Sequence, residues 1–166
     1  MMLYIICGLP GVGKTTFGQI LAMQTGAVIL RSDTIRKELA LEDRYGEEEK
    51  DAVYKKMFEK TKHHLGNGRN IILDATFVLE KNRQEAINIA SKMNSPYKII
   101  RVIAPEAEII RRIKKRFGDA SQADVGVYHK YKNLFQKIKG KYFTVDNKSR
   151  EHELKHYGEK IAGEDH

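Results

Sequence analysis

The chain has 166 residues, and among them are one cysteine, three prolines and no apolar run near the roughly 20 residues that cross a bilayer. A lone Cys7 excludes an internal disulfide and a thiolate cluster for zinc, and within an apolar run it reads as a small buried residue. None of the six histidines falls at a metal-ligand spacing; His63-His64 sits where a helix should end, a favourable place for a cation. The first residues lack a basic stretch followed by a long apolar one. A cytoplasmic protein without a membrane segment is expected. There is no internal repeat and no low-complexity linker. The length suits one domain, 1–166, able to bury well over half of its unfolded surface.

Against these absences stands one dense motif. Gly8-Leu9-Pro10-Gly11-Val12-Gly13-Lys14-Thr15 is a full G-x-x-x-x-G-K-[ST] phosphate-binding loop, directly behind the apolar run Leu3 to Cys7. Strand, loop and helix are all supplied, which is the context the motif requires. Backbone N–H groups in such a loop form a concave nest for anionic oxygens, and the following helix adds its positive end. Gly8, Gly11 and Gly13 permit the close approach, with Pro10 and Val12 completing the loop. Lys14 reaches the β and γ phosphates, the Thr15 hydroxyl can ligate Mg²⁺, and Thr16 serves the helix or the α-phosphate.

The periodicity then predicts a helix from Gly13 to about Thr25, a buried strand at Ala27 to Leu30, and helix again from Thr34. An amphipathic helix follows over Glu47 to Leu65, a strand at Asn70 to Asp74, a helix at 79–93 and a strand at Tyr97 to Ala104. Pro105-Glu106-Ala107-Glu108 starts a basic helix to about Phe117. A polar loop, Gly118 to Gly126, precedes a helix at 128–139, a fifth strand at Tyr142 to Asp146 and a terminal helix near 150–163. Alternating strands and helices define an α/β doubly wound parallel sheet, whose ligands collect outside the carboxyl ends of the strands.

Two strands end in an aspartate. Asp33 in Asp33-Thr34-Ile35-Arg36 is either the group that takes a proton from an acceptor hydroxyl or a helix cap. Asp74 is either a second acid, holding Mg²⁺ directly or through water, or a turn-forming residue. Arg36 can pair with anionic groups of an acceptor. Arg83 either does the same or is an exposed helical arginine. Arg112 and Arg116 lie one turn apart, where a lid over ATP, about 106–126, would place two cations against developing negative charge.

Net charge is +8, and residues 101–148 hold 12 Lys+Arg against 5 Asp+Glu. Within them Lys130, Lys132, Lys137, Lys139 and Lys141 interleave with Tyr128, Tyr131, Phe135, Tyr142 and Phe143. This is a pattern that can grip single-stranded nucleic acid, although at helical spacing the same aromatics form a core face, which is the favoured reading.

With these pieces in view, the chain resembles the phosphate-loop kinases of the predicted-kinase group that includes polynucleotide 5′-hydroxyl kinase, zeta toxins and chloramphenicol phosphotransferase. The likeness rests on Gly8 to Thr15, Arg31-Ser32-Asp33, Leu73-Asp74-Ala75-Thr76-Phe77, residues 119–124 and Val145-Asp146. It implies a five-stranded sheet in the order 2-3-1-4-5 with a helical lid, and ATP and Mg²⁺ served by Lys14 and Thr15. It also implies Asp33 as base, Arg36 on the acceptor, Arg112 and Arg116 in the lid, and adenine near Val145-Asp146-Asn147. An ATP-dependent kinase acting on a hydroxyl of a small molecule or a nucleic-acid end is the leading expectation. A nucleotide-hydrolysing switch or a basic nucleic-acid-binding protein are the alternatives. Against a GTP switch, there is no Asp-x-x-Gly after the third strand, and Asn147-Lys148-Ser149-Arg150 lacks the aspartate that reads guanine.

Overall fold

The computed structural model describes residues 1–42, 44–117, 122–148 and 151–164; of these, the side chains of 116, 117 and 122–124 are outside the described set. In chain order the elements are β1 (Leu3–Cys7), α1 (Lys14–Thr25), β2 (Val28–Arg31), α2 (Ser32–Glu38), α3 (Glu47–Gly66) and β3 (Ile71–Asp74). They continue as α4 (Glu80–Lys92), β4 (Tyr97–Ile103), α5 (Glu106–Phe117), α6 (Gln122–Leu134), β5 (Phe143–Asp146) and α7 (Glu151–Gly163).

The strands form one parallel sheet in the order β2-β3-β1-β4-β5, as the resemblance implied. A central parallel strand is covered on both faces, which is why β1 is apolar at every position and buried throughout. Leu3, Ile5 and Cys7 face Val53, Met57 and Leu65 of α3 and Ala86 and Ile89 of α4. Tyr4 and Ile6 face Phe17 and Leu21 of α1, Ile109 and Ile113 of α5, and Leu154 and Ile161 of α7. Each fully buried aliphatic side chain in these two layers contributes about 1.5–3 kcal/mol. Among the described residues no helix is long and apolar enough to cross a membrane.

Three sequence expectations need correction. β2 is an edge strand, so only Leu30 in it is buried, although its composition reads like a central strand. Helix α2 begins at Ser32 rather than Thr34, which puts Asp33 inside the first turn and makes Arg31 the cap position, without a side-chain cap. The helix expected at 128–139, after a polar loop reaching Gly126, is instead α6, which starts at Gln122 and ends at Leu134. The backbone beyond it is taken up elsewhere: Gln136 N–H donates to Val78 O at 2.9 Å, and the carbonyls of Gln136 and Lys137 accept from Arg83 at 2.8 and 3.1 Å. A residue has one N–H to give, and Gln136 has spent its own on Val78 O instead of on the carbonyl four residues back that a continuing helix would use. The aromatics of this stretch divide accordingly: Tyr128 is buried, Phe135 half-buried and Tyr142 exposed.

Candidate functional site

The carboxyl ends of β1, β3 and β2 bring Cys7, Asp74 and Arg31 to one rim, and the loop from Gly8 to Gly13 leaves from its centre. Two loop positions tolerate nothing but glycine. At Gly8 a Cβ would stand 2.5 Å from the Val102 carbonyl oxygen, on a strand that cannot withdraw. At Gly13 the backbone is left-handed, with φ of 90°, and a Cβ would stand 2.1 Å from Asn147 Nδ2. The loop is also packed from above, since the buried pair Ile109 and Ile113 of α5 lies within contact distance of Gly11.

Lys14 begins α1, and its Nζ donates to Leu9 O at 3.0 Å, so the ammonium curls back over the loop. Burial lowers its pKa below the ordinary lysine value, while Asp74 and Asp33 pull it back up. Both strand-end aspartates therefore act on one cation. The Thr15 hydroxyl donates to Asp74 Oδ2 at 2.8 Å, and Asp74 is buried. Arg31 completes this group: its Nη2 lies 3.4 Å from Thr15 Oγ1 and its Nε 3.5 Å from Asp74 Oδ2. That Nε is the one buried side-chain nitrogen among the described residues without a hydrogen-bond acceptor. Asp33 stands apart from them, exposed, with no hydrogen bond or ion pair among the described residues.

On the opposite flank Arg112 spans three elements. Its Nε pairs with Glu108 at 2.8 Å, its Nη1 donates to Val12 O at 3.2 Å and its Nη2 to Asn147 O at 3.1 Å. Asn147 is buried and donates through Nδ2 to the same Val12 carbonyl at 2.9 Å. Beside them opens a cleft of about 430 Å³ lined by Gly13, Thr16, Ile20, Arg112, Asn147 and Leu154. Asp146 does not line it; its carboxylate pairs with Lys148 at 3.0 Å and borders a neighbouring groove with His152 and His156.

The predicted site residues thus fall into three groups. Gly8 to Thr16 and Asp74 share the rim, Asp33 stands exposed beside it and acts on Lys14, and Arg112 joins them from α5. Arg36 faces elsewhere: it is buried, bonded to the Arg44 carbonyl, with its guanidinium 4.6 Å over the Tyr45 ring. The Arg116 side chain and residues 118–121 of the expected lid lie outside the described residues.

Arg83 is neither an exposed arginine nor an acceptor contact. It is fully buried, donating to the carbonyls of Phe77, Val78, Gln136 and Lys137 and paired with Glu80. Sequence reasoning also gave no role to Arg31 or Tyr54, and set Asn147 only near the adenine without its bond to the phosphate loop. Tyr54 Oη accepts from Phe77 N–H at 3.1 Å, holding the chain just past β3 where Phe77 takes a left-handed φ of 46°. In the sequence Tyr54 is one apolar residue among several in the amphipathic helix expected over 47–65, with nothing to distinguish it from Met57.

The fold and the glycine loop define a phosphate-loop protein of the nucleoside-triphosphatase architecture. The AAA domain family model matches residues 3–138, and the chain belongs to that family. Uncharacterised proteins of Mycobacterium bovis and Mycobacterium tuberculosis are 29% identical to it over 133 residues, covering 73% of this chain and 27% of theirs. The chain thus spans about a quarter of the length of these relatives. Among solved structures, the APS kinase of Mycobacterium tuberculosis in complex with AMPPNP and APS superposes with a TM-score of 0.75 at 13% identity, over 96% of this chain and 94% of that one. Kti12 of Chaetomium thermophilum in complex with ADP-AlF3 gives 0.74 at 15% identity, over 96% of each chain. A gluconokinase of Sinorhizobium meliloti gives 0.73 at 12% identity, over 93% and 87%. The fold is that of the P-loop kinases.

Proposed function

We propose that the protein is an ATP-dependent phosphotransferase that moves the γ-phosphate to a hydroxyl of a small molecule or of a nucleic-acid end. The observation that carries this is the division between the two aspartates acting on Lys14. Asp74 is buried and committed to Thr15, whereas Asp33 is exposed and uncommitted. An exposed carboxylate close enough to act on Lys14 is what receiving the proton of an acceptor hydroxyl requires.

The triphosphate lies in the nest of Gly8 to Gly13, with Lys14 turned from Leu9 O onto its terminal oxygens and the base side in the cleft by Thr16 and Asn147. The acceptor oxygen attacks the γ-phosphorus, the bond to the β,γ-bridging oxygen breaks, and ADP leaves. Asp33 takes the hydroxyl proton. Lys14 and Arg112 offset the charge that builds on the transferring group and the leaving oxygen. Thr15 and Asp74 offer the hard oxygen donors that suit Mg²⁺ and would hold it, and such an ion would supply neutralisation of the phosphate charge. Support for ATP as donor comes from the AMPPNP and ADP-AlF3 held by two proteins of the same fold.

The test is a radiolabelled γ-phosphate transfer screen over sugars, nucleosides, antibiotics, 5′-hydroxyl oligonucleotides and tRNA, run with two variants. Lys14→Ala should lose nucleotide binding, and Asp33→Asn should keep it while losing transfer. Transfer by Asp33→Asn at the parental rate removes the base assignment; absence of any calorimetric heat with Mg·ATP removes the whole reading.

A further inference from the structure

Three cations act on the Cys7 thiol at the base of the phosphate loop: Arg83, Arg101 and Lys14. They are balanced very differently. Arg83 is saturated by Glu80 and four carbonyls. Lys14 has Leu9 O and the two aspartates. Arg101 has no carboxylate and no carbonyl among the described residues; its one contact is with Phe135, whose ring centroid lies 5.2 Å from its guanidinium carbon. It is half-buried, yet none of its nitrogens is a buried orphan, so its N–H groups open to solvent. An arginine held over an aromatic ring with its fork free is arranged for an oxyanion, which it can bind bidentately.

Its position says which oxyanion. Arg101 pairs in register with Cys7, the residue before Gly8, and shares the face of β4 that carries Ile99 toward α3 and α4. This is the opposite face from Arg112, Asn147 and the cleft beside Thr16, which belong with α1 and α7. It is the side where Tyr54, Phe77 and Phe135 gather past the end of β3. A cation there is out of place for the nucleotide and well placed for whatever sits across from it.

We propose that Arg101 anchors a second anionic group of the acceptor, so that the substrate is a small hydroxyl compound already carrying a phosphate, sulfate or carboxylate. This rests on the phosphotransferase reading. It predicts that the loop fills with nucleotide while a separate oxyanion site remains.

The experiment is equilibrium dialysis of radiolabelled sulfate against the protein saturated with Mg·AMPPNP, at constant ionic strength. The parent should bind sulfate near one equivalent. Arg101→Gln keeps the stem over Phe135 and should weaken binding about tenfold or more, with Arg101→Lys between the two. In the acceptor screen, the anionic member of matched hydroxyl pairs should be preferred by the parent and not by Arg101→Gln. Equal sulfate binding by parent and Arg101→Gln, or none by the parent complex, overturns the proposal. Failure of AMPPNP itself to bind sinks the phosphotransferase reading instead, and so the two are told apart.

Discussion

The Thr15 hydroxyl donates to Asp74 Oδ2 at 2.8 Å, tying the first turn of α1 to the end of β3. The same carboxylate oxygen has Arg31 Nε 3.5 Å away. Arg31 thus puts a guanidinium beside the two oxygens that would hold Mg²⁺, with its Nε lacking a hydrogen-bond acceptor.

Removing the charge at Asp74 should separate metal from nucleotide. With Asp74→Asn, the Mg²⁺-dependent part of ATP affinity is expected to fall about 10–100-fold, the range for lost metal ligands and their supports. Metal-free ATP binding, which relies on the loop and Lys14, should hardly change. Calorimetric titrations with and without EDTA measure both. Equal losses in the two would show that Asp74 only braces Thr15.

Arg83 supplies a stability prediction. With its side chain fully buried and five partners satisfied by one guanidinium, Arg83→Ala strips Glu80 and the carbonyls of Phe77, Gln136 and Lys137 of this donor, while Val78 O keeps Gln136 N–H. A loss of about 3–5 kcal/mol is expected by urea denaturation, as for a broken buried ion pair. Arg83→Lys should recover little, because a single ammonium cannot span carbonyls on two separate chain segments.

The contrast between Arg83 and Lys14 shows what the sequence could say. Lys14 is legible because its neighbours in space are its neighbours in the chain: the loop is local, and a glycine pattern encodes it. The strands were legible for a similar reason, since the continuous apolar runs of β1 and of β3 up to Asp74 are what parallel strands need when covered twice. Arg83 is fixed by carbonyls more than 50 positions away, at Gln136 and Lys137. No periodicity records such a contact, and the polar stretch Lys81-Asn82-Arg83 looks like a solvated helix face. The early end of α6 is the other half of the same contact and was hidden with it. Asn147 was named only as lying near the adenine; its bond to the phosphate loop was hidden because it depends on a meeting with Val12, 135 positions earlier.

Arg112 should be separable from stability. It bonds to Val12 O, Asn147 O and Glu108, all at a half-buried position, so Arg112→Ala is expected to lower stability by only about 1 kcal/mol. Turnover should fall about 10-fold or more if its charge serves the transferring phosphate. Glu108→Gln is the control: it frees Arg112 from its carboxylate but leaves the cation on the loop, and should cost far less. A Glu108→Gln variant as impaired as Arg112→Ala would locate the effect in helix placement rather than charge.

At alkaline pH the buried thiol dictates the sign. Desolvation pushes Cys7 from its ordinary 9.0 to about 11, with Arg83, Arg101 and Lys14 pulling weakly the other way. The folded chain thus keeps a proton that the unfolded chain loses above pH 9. Its contribution is intact below pH 9 and is lost as pH rises toward 11, an effect on the order of 2–3 kcal/mol. Tyr54, pushed from 10.0 to about 12, acts in the same direction one unit higher. Lys14 opposes both, since a buried ammonium with a lowered pKa burdens the fold until it deprotonates. Urea midpoints between pH 8 and 11 should fall less steeply for Cys7→Ala than for the parent, and Lys14→Met should make the fall steeper. Parallel curves for parent and Cys7→Ala would mean that the thiol is not held neutral by the sheet.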